Sequence, residues 1–303
     1  MNTKQCYLIG AGINSGTNIN GCELGPDTFR ACGISETLAN LGHQVEDKGN
    51  LSPAPSGQLP NPFNIRNLEE TVGWAKSLEC ETRKALSSGK FPIFLGGDHS
   101  LAFGSILGAL NYYAEQNRPL YVLWIDAHAD FHSLDSSESG NLHGAPVAYL
   151  TGEKGFGDYF PNVSHPLKPE NLMIMGMRSV DPAERAKLKQ TGIHAHDMRR
   201  IDEKGVAALL TPFLEEVKAN NGVLHVSLDV DGLDPEIAPA VGTDVPGGLS
   251  YREAHLIMEI LQDYDLTTSL DLVELNPLLD VKAKTARLLI DLTASLLGRS
   301  VLS

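Results

Sequence analysis

Cysteine is scarce: the 303 residues hold four, Cys6, Cys22, Cys32 and Cys80, none in a CxxC pair. A chain this long buries enough surface to fold without covalent staples, so they read as reduced thiols. No apolar run approaches the roughly 20 residues that a membrane-spanning helix needs. The opening MNTKQCYLIGAG passes straight into a strand-like run, with no basic segment, long apolar core or small-residue cleavage site. A soluble, cytoplasmic protein is expected. Positive charge is also short: 24 Lys and Arg stand against 38 Asp and Glu, a formal net charge of −14. That field disfavours nucleic acid or an anionic membrane as partner and suits a small cationic substrate. Internal repeats and low-complexity tails are missing as well, which leaves solenoids and arrays out.

What is there is an alternation. Short apolar or β-branched runs recur at 6–12, 43–47, 91–97, 121–127, 171–179, 192–197, 222–231 and 267–277. Amphipathic stretches such as Asn67 to Leu86 and Tyr251 to Leu261 separate most of them, which is the pattern of βαβ units. Several runs are apolar on both alternating faces, as central parallel strands covered on each side must be. The expected fold is a three-layer α/β/α sandwich around a mostly parallel eight-stranded sheet. Pro, Gly and Ser gather at 51–64 and 133–141, which read as surface loops rather than linkers, so residues 1–303 are taken as a single domain.

In such sheets ligands sit beyond the carboxyl ends of the strands, so the informative residues lie where an apolar run turns polar. Four runs do this. FPIFL leads into Gly96-Gly97-Asp98-His99, YVLWI into Asp126-Ala127-His128-Ala129-Asp130, VLHVSL into Asp229-Val230-Asp231, and TTSLDLV into Glu274-Leu275-Asn276. In extended chain, residues two apart share a side, so Asp126, His128 and Asp130 can converge, as can Asp229 and Asp231. Carboxylates crowded in this way repel or take up protons unless a cation joins them. Six candidate ligands follow, His99, Asp126, His128, Asp130, Asp229 and Asp231, enough for two divalent ions. An oxygen and imidazole set without thiolate suits Mn²⁺ better than a structural zinc site, with Zn²⁺, Fe²⁺ and Co²⁺ as the alternatives. Two such ions about 4 Å apart ionise a shared water at neutral pH.

Other patterns carry less. Gly10-Ala11-Gly12 with Ser15-Gly16 lacks the third glycine in register and the distant acid of a dinucleotide loop. His194 and His196 read as a strand face rather than a further metal site, and His225 as a hydrogen-bonded residue in or near the core. Asp98 either orients a ligand or caps the following helix. Thr285 to Leu297 reads as a helix facing the core or another subunit.

GGDHSLAFGS, DAHAD, SGNLHGAPV, SLDVDGLDPEIAPAVGT, GGLSYREA and LDLVELNP occur in the order and at intervals that resemble the ureohydrolases, and among them most closely the arginases. With GCELGPDTFRACGI the likeness runs from about residue 8 to about residue 295. Agmatinases are less similar in SGNLHG and VDGLDPEIAP, and formimidoylglutamases usually carry GGGHE where GGDHS stands here.

The resemblance implies hydrolysis of L-arginine to L-ornithine and urea by a hydroxide held between two Mn²⁺ ions. His99 and Asp130 would serve one ion and His128 and Asp231 the other, with Asp126 and Asp229 bridging. Asp130 would also pass a proton to the leaving amine, His143 would shuttle protons, and Glu274 would pair with the guanidinium. Ser139 and Asn141 would hold the α-carboxylate, Asp181 would face the α-amino group, and Thr243 would lie toward the guanidinium end. Two positions depart from the family text: His132 stands where Asn is common and is expected to keep a carboxylate contact, and Asp244 replaces a usual proline near the pocket mouth. Tyr251-Arg252-Glu253 resembles a segment of intersubunit ion pairs, which implies a homo-oligomer, trimer or hexamer. Agmatinase or another guanidino or formimidoyl ureohydrolase, a non-catalytic metal-binding regulator and a metal-dependent deacetylase are the alternatives.

Overall fold

A strand that is apolar on both faces must have neighbours on both edges and cover above and below. The computed structural model describes residues 3–300 and bears this out. Eight strands form, β1 (Gln5–Ala11), β2 (Gln44–Asn50), β3 (Phe91–Gly96), β4 (Leu120–Ile125), β5 (Leu172–Met177), β6 (His194–Asp197), β7 (Val223–Asp229) and β8 (Thr267–Val273). They pair in parallel throughout, in the order β2-β1-β3-β8-β7-β4-β5-β6. Each position of β3, β4, β5 and β7 is buried, whereas edge strand β2 is largely exposed.

Alternation along the strands feeds apolar clusters on the two faces of the sheet. From β4, Leu123 and Ile125 enter one with Leu224, Val226 and Leu289, while Val122 and Trp124 enter the other with Phe103 and Ile174. That is the α/β/α sandwich. On one side the helix Leu68–Ser87 lies tight against Ala102–Glu115. Glycine makes the approach possible: a Cβ on Gly104 would come within 2.5 Å of the Ala75 carbonyl oxygen. On the opposite side Tyr251–Tyr264 packs against Lys284–Leu296, whose Leu289 and Leu292 are fully buried.

The strand order decides where the chemistry goes. The four runs that turn polar are β3, β8, β7 and β4, which are contiguous at the centre of the sheet. Their carboxyl ends therefore open onto one place, although in sequence they lie in two groups more than 90 residues apart.

One expectation needs correcting. Asp126 to Asp130 is not extended strand: β4 ends at Ile125 and the segment is a loop, with Asp130 at φ 49°. Asp231 likewise lies in a single 3-10 turn, Val230–Gly232, beyond β7. The acids converge because the chain curls after each strand, freeing the side chains from the two-residue alternation that a sheet imposes.

His194 and His196 stand on β6 at the sheet edge, where His194 packs edge-on to Phe213. Burial, with Arg200 and His194 nearby, pushes His196 down to about 4, so it is a neutral, packed ring. His225 is wholly buried, with Nδ1 2.7 Å from Ser269 Oγ.

Candidate metal centre

β3 delivers Gly97-Asp98-His99 into a short turn. Asp98 caps it by accepting the Ser100 N–H at 3.0 Å, and it also accepts the Gly16 N–H at 2.8 Å. The capping alternative thus holds, and the same carboxylate anchors the loop after β1. That loop is no nucleotide cradle: Gly16 lends its carbonyl to the His143 N–H at 3.1 Å.

At the centre, His99 Nε2 lies 2.9 Å from Ser227 Oγ, and its ring stacks on Trp124 with centroids 4.0 Å apart. Nδ1 is then left toward the acids. It approaches Asp229 Oδ2 at 2.9 Å, Asp126 Oδ2 at 3.1 Å and Asp130 Oδ2 at 3.3 Å, yet it is buried without a hydrogen bond to any of them. A ring nitrogen surrounded by carboxylate oxygens but not donating to them is arranged to share a cation with them.

His128 repeats the arrangement, its Nδ1 3.0 Å from Asp231 Oδ2 and 3.4 Å from Asp126 Oδ1. Two triads of possible ligands result, His99–Asp126–Asp130 and Asp126–His128–Asp231, with donor atoms inside 4.8 Å of one another and Asp126 common to both. Asp229 stands between them, one oxygen toward His99 and the other accepting the Asp231 N–H at 2.8 Å.

The electrostatics agree with the geometry. Burial, then the neighbouring carboxylates, drives Asp130, Asp229 and Asp231 above the usual carboxylate range. Asp126 goes the other way: burial opposes it, but His128 and His99 hold it well below. So many acids in a buried cluster are poised to take up positive charge, and a hard or borderline divalent cation fits a set made only of carboxylate and imidazole.

Supporting groups keep the ligands in place. Trp124 Nε1 donates to Asp126 Oδ2 at 2.8 Å, the His128 N–H to Asp126 Oδ1 at 2.6 Å, and the Ala127 N–H to Asp231 Oδ1 at 2.9 Å. Trp124→Phe keeps the stacking ring but loses the indole donor. It is expected to weaken manganese affinity by about tenfold, measured by metal titration with the fold intact.

Every candidate except Asp126 faces one cavity of about 360 Å³. His143 Nδ1 lies 2.9 Å from Glu274 Oε1. Burial opposes charge on both, yet each holds the other ionised: His143 is raised and Glu274 lowered. Asp130 and Glu274 adopt left-handed backbone, φ 49° and 63°, a strain tolerated where a side chain must be aimed. The Thr243 hydroxyl donates to Asp231 Oδ2 at 3.0 Å, so it belongs with the cluster. Asp244 does not line the cavity.

The outer end differs from expectation in detail. His132 Nε2 faces acids, Asp181 Oδ2 at 3.2 Å and Glu184 Oε2 at 3.5 Å. Glu184 was not singled out above. Its carboxylate accepts the Phe131 N–H at 2.9 Å and the Asp181 N–H at 3.2 Å, and Asp181-Pro182 with Glu184 three residues on is a helix-start signature that signalled it. Asn141 Nδ2 donates to Asn18 Oδ1 at 3.2 Å, and Ser139 lies beside it on a loop pinned by Arg66, whose Nε donates to the Ser139 carbonyl at 3.1 Å.

A profile described as the arginase family matches residues 4–298. The chain belongs to the arginase family. An arginase of Brucella melitensis is 55% identical over 299 residues, 98% of this chain and 97% of that one. The crystal structure of arginase from Bacillus cereus superposes with a TM-score of 0.89 at 34% identity, covering 98% of this chain and all of that one. Arginase of Entamoeba histolytica, solved in complex with L-ornithine, gives 0.87 at 27% identity over 99% of each chain. The arginase fold is therefore the frame in which the cluster sits, and the family depends on metal, as the cluster's chemistry requires.

Proposed function

We propose that this chain hydrolyses the guanidinium group of L-arginine to give L-ornithine and urea. One observation carries the reading: Glu274 is a buried acid outside the two ligand triads that lines the same cavity as His99, His128, Asp130 and Asp231. A planar guanidinium is the cation a carboxylate there is best shaped to receive.

His99 and Asp130 would hold one Mn²⁺, His128 and Asp231 the other, and Asp126 and Asp229 both. Bound there, the pair of ions would supply as nucleophile a water ionised at neutral pH. Glu274 accepts a guanidinium N–H on Oε2 and holds the carbon beside the cluster. Asp130, at the edge of the cluster facing the cavity, would take a proton and pass it to the departing nitrogen, which cannot leave as an anion. His143 at the cavity wall exchanges that proton with solvent. Ser139, Asn141 and His132 receive the α-carboxylate, and Asp181 the α-amino group, with Thr243 steadying Asp231.

The contact between His132 and Asp181, at 3.2 Å, joins the two halves of an amino-acid site. This favours arginine over agmatine, which lacks the carboxylate. Urea release from arginine, agmatine, guanidinobutyrate and formimidoylglutamate by the manganese-loaded protein tests the assignment. Arginine is expected to exceed the others by about 100-fold in kcat/KM, an interaction of roughly 3 kcal/mol; agmatine as the better substrate would overturn it.

No helix is long and apolar enough to cross a membrane among the described residues, and we place the enzyme in the cytoplasm. We also propose a homo-oligomer, trimer or hexamer. Within the chain Arg252 already pairs with Glu259 at 3.2 Å and Glu253 caps its own helix through Ser250, so an assembly would have to share these charges, while Tyr251 remains 48% exposed for contact.

A further inference from the structure

Glu274 has two oxygens and unequal support. Oε1 accepts the His99 N–H at 2.8 Å and lies 2.9 Å from His143 Nδ1. Oε2 has one protein donor, the Cys22 thiol, with Sγ at 3.6 Å. Cys22 is 1% exposed and begins the single turn Cys22–Leu24 in the loop after β1. The loop is fastened on both sides of it. Asn276 Nδ2 donates to the Asn20 carbonyl at 2.9 Å, and the Gly21 N–H to Glu23 Oε2 at 2.7 Å. Burial, then Glu274 and Asp98, push the thiol far above its ordinary range, so the sulfur keeps its proton and is a donor rather than a nucleophile.

We propose that Cys22 is a positioning residue for guanidinium recognition: its S–H occupies one lone pair of Glu274 Oε2 and fixes the carboxylate plane that the substrate meets. The argument is one of satisfaction. A carboxylate oxygen accepts on two sites, and with Oε1 filled by His99 and His143, Oε2 is the oxygen with capacity left for a ligand. A sulfhydryl is a weak donor, so it orients this oxygen without competing strongly with a guanidinium N–H. The inference rests on Glu274 being the guanidinium acceptor.

Cys22→Val removes the donor and keeps an apolar filling; Cys22→Ser restores a donor. In the manganese-loaded enzyme, Cys22→Val is expected to raise KM for arginine about fivefold with kcat within about twofold of the parent. Inhibition by L-norvaline, an amino acid whose uncharged side chain makes no demand on Glu274, should be unchanged, and Cys22→Ser should recover most of the loss in KM. Cys22→Ala replaces the valine variant if thermal unfolding shows the latter to be misfolded. Unchanged KM in the donor-free variant, an equal loss of norvaline affinity, or a serine variant as impaired as valine would each overturn the role of Cys22. Glu274→Gln separates the two readings. If it keeps full activity the acceptor assignment itself fails, whereas an inactive Glu274→Gln beside a valine variant equal to the parent removes only the thiol's part.

Discussion

Replacing Glu274 by glutamine is expected to lower kcat/KM for arginine by about 1,000-fold while the bound manganese stays at the parental stoichiometry. Glutamine keeps the shape but removes the charge that faces His143 at 2.9 Å. Breaking one side of a buried pair costs about 3–5 kcal/mol, and about 1.4 kcal/mol is a factor of ten. The loss should fall largely on substrate binding, since the guanidinium is already cationic when it meets the carboxylate, so most of it should appear as a rise in KM. Steady-state urea production and metal analysis of the same preparation check this. Activity within threefold of the parent would leave Glu274 without the role given to it, and loss of manganese in step with activity would make it a support of the cluster.

A larger effect is expected from Asp126→Asn. Asp126 is the acid common to both ligand triads, and both its oxygens also accept protein donors, from Trp124 Nε1 and the His128 N–H. An asparagine amide must turn its NH₂ toward one of those donors or toward the cation, and it removes one negative charge from the cluster. Activity should fall by about 10,000-fold or more, with both manganese equivalents weakened in a calorimetric titration. Stability gives a second readout. Without metal the variant loses the pairing with His99 and His128 that holds the Asp126 carboxyl well below the usual range, so it should unfold earlier than the parent. The rise in Tm that manganese confers on the parent should be largely lost, because a ligand stabilises only to the extent that it binds the folded state. A variant with parental manganese affinity would contradict the shared-ligand assignment.

Much of this architecture was legible before any coordinates. Runs such as FPIFLG and LYVLWI are too apolar to be anything but buried strands, and all eight form within a few residues of their expected bounds. Their polar ends were read as continuing strand because alternation and loop look alike over five residues. Only the observed backbone, with Asp130 left-handed, separates them. The candidate ligands were visible because carboxylate and imidazole at strand ends have few other uses in such density. Trp124, Ser227, Glu184 and Cys22 were not. The Ser227 and Cys22 contacts each join residues more than 100 positions apart, and Glu184 meets Phe131 across more than 50, relations that no local pattern encodes, although the helix-start signature did mark Glu184. His132 shows the converse. It was noticed as a departure, but its neighbours Asp181 and Glu184 could be named only once the helix after β5 had been placed.

The interleaved strand order also has a consequence for how the molecule is made. β3 and β4 follow each other in the chain, yet β7 and β8 lie between them in the sheet. As the polypeptide is synthesised, the middle of the sheet must stay open until the last third arrives, and until then Val122, Trp124 and their neighbours have β5 on one edge and no partner on the other. Closing that gap brings together segments more than 100 residues apart, a slow class of event with a high entropic barrier. No nascent piece that stops short of residue 274 contains the whole constellation, so chemical competence is switched on only by the final insertion and cannot precede it.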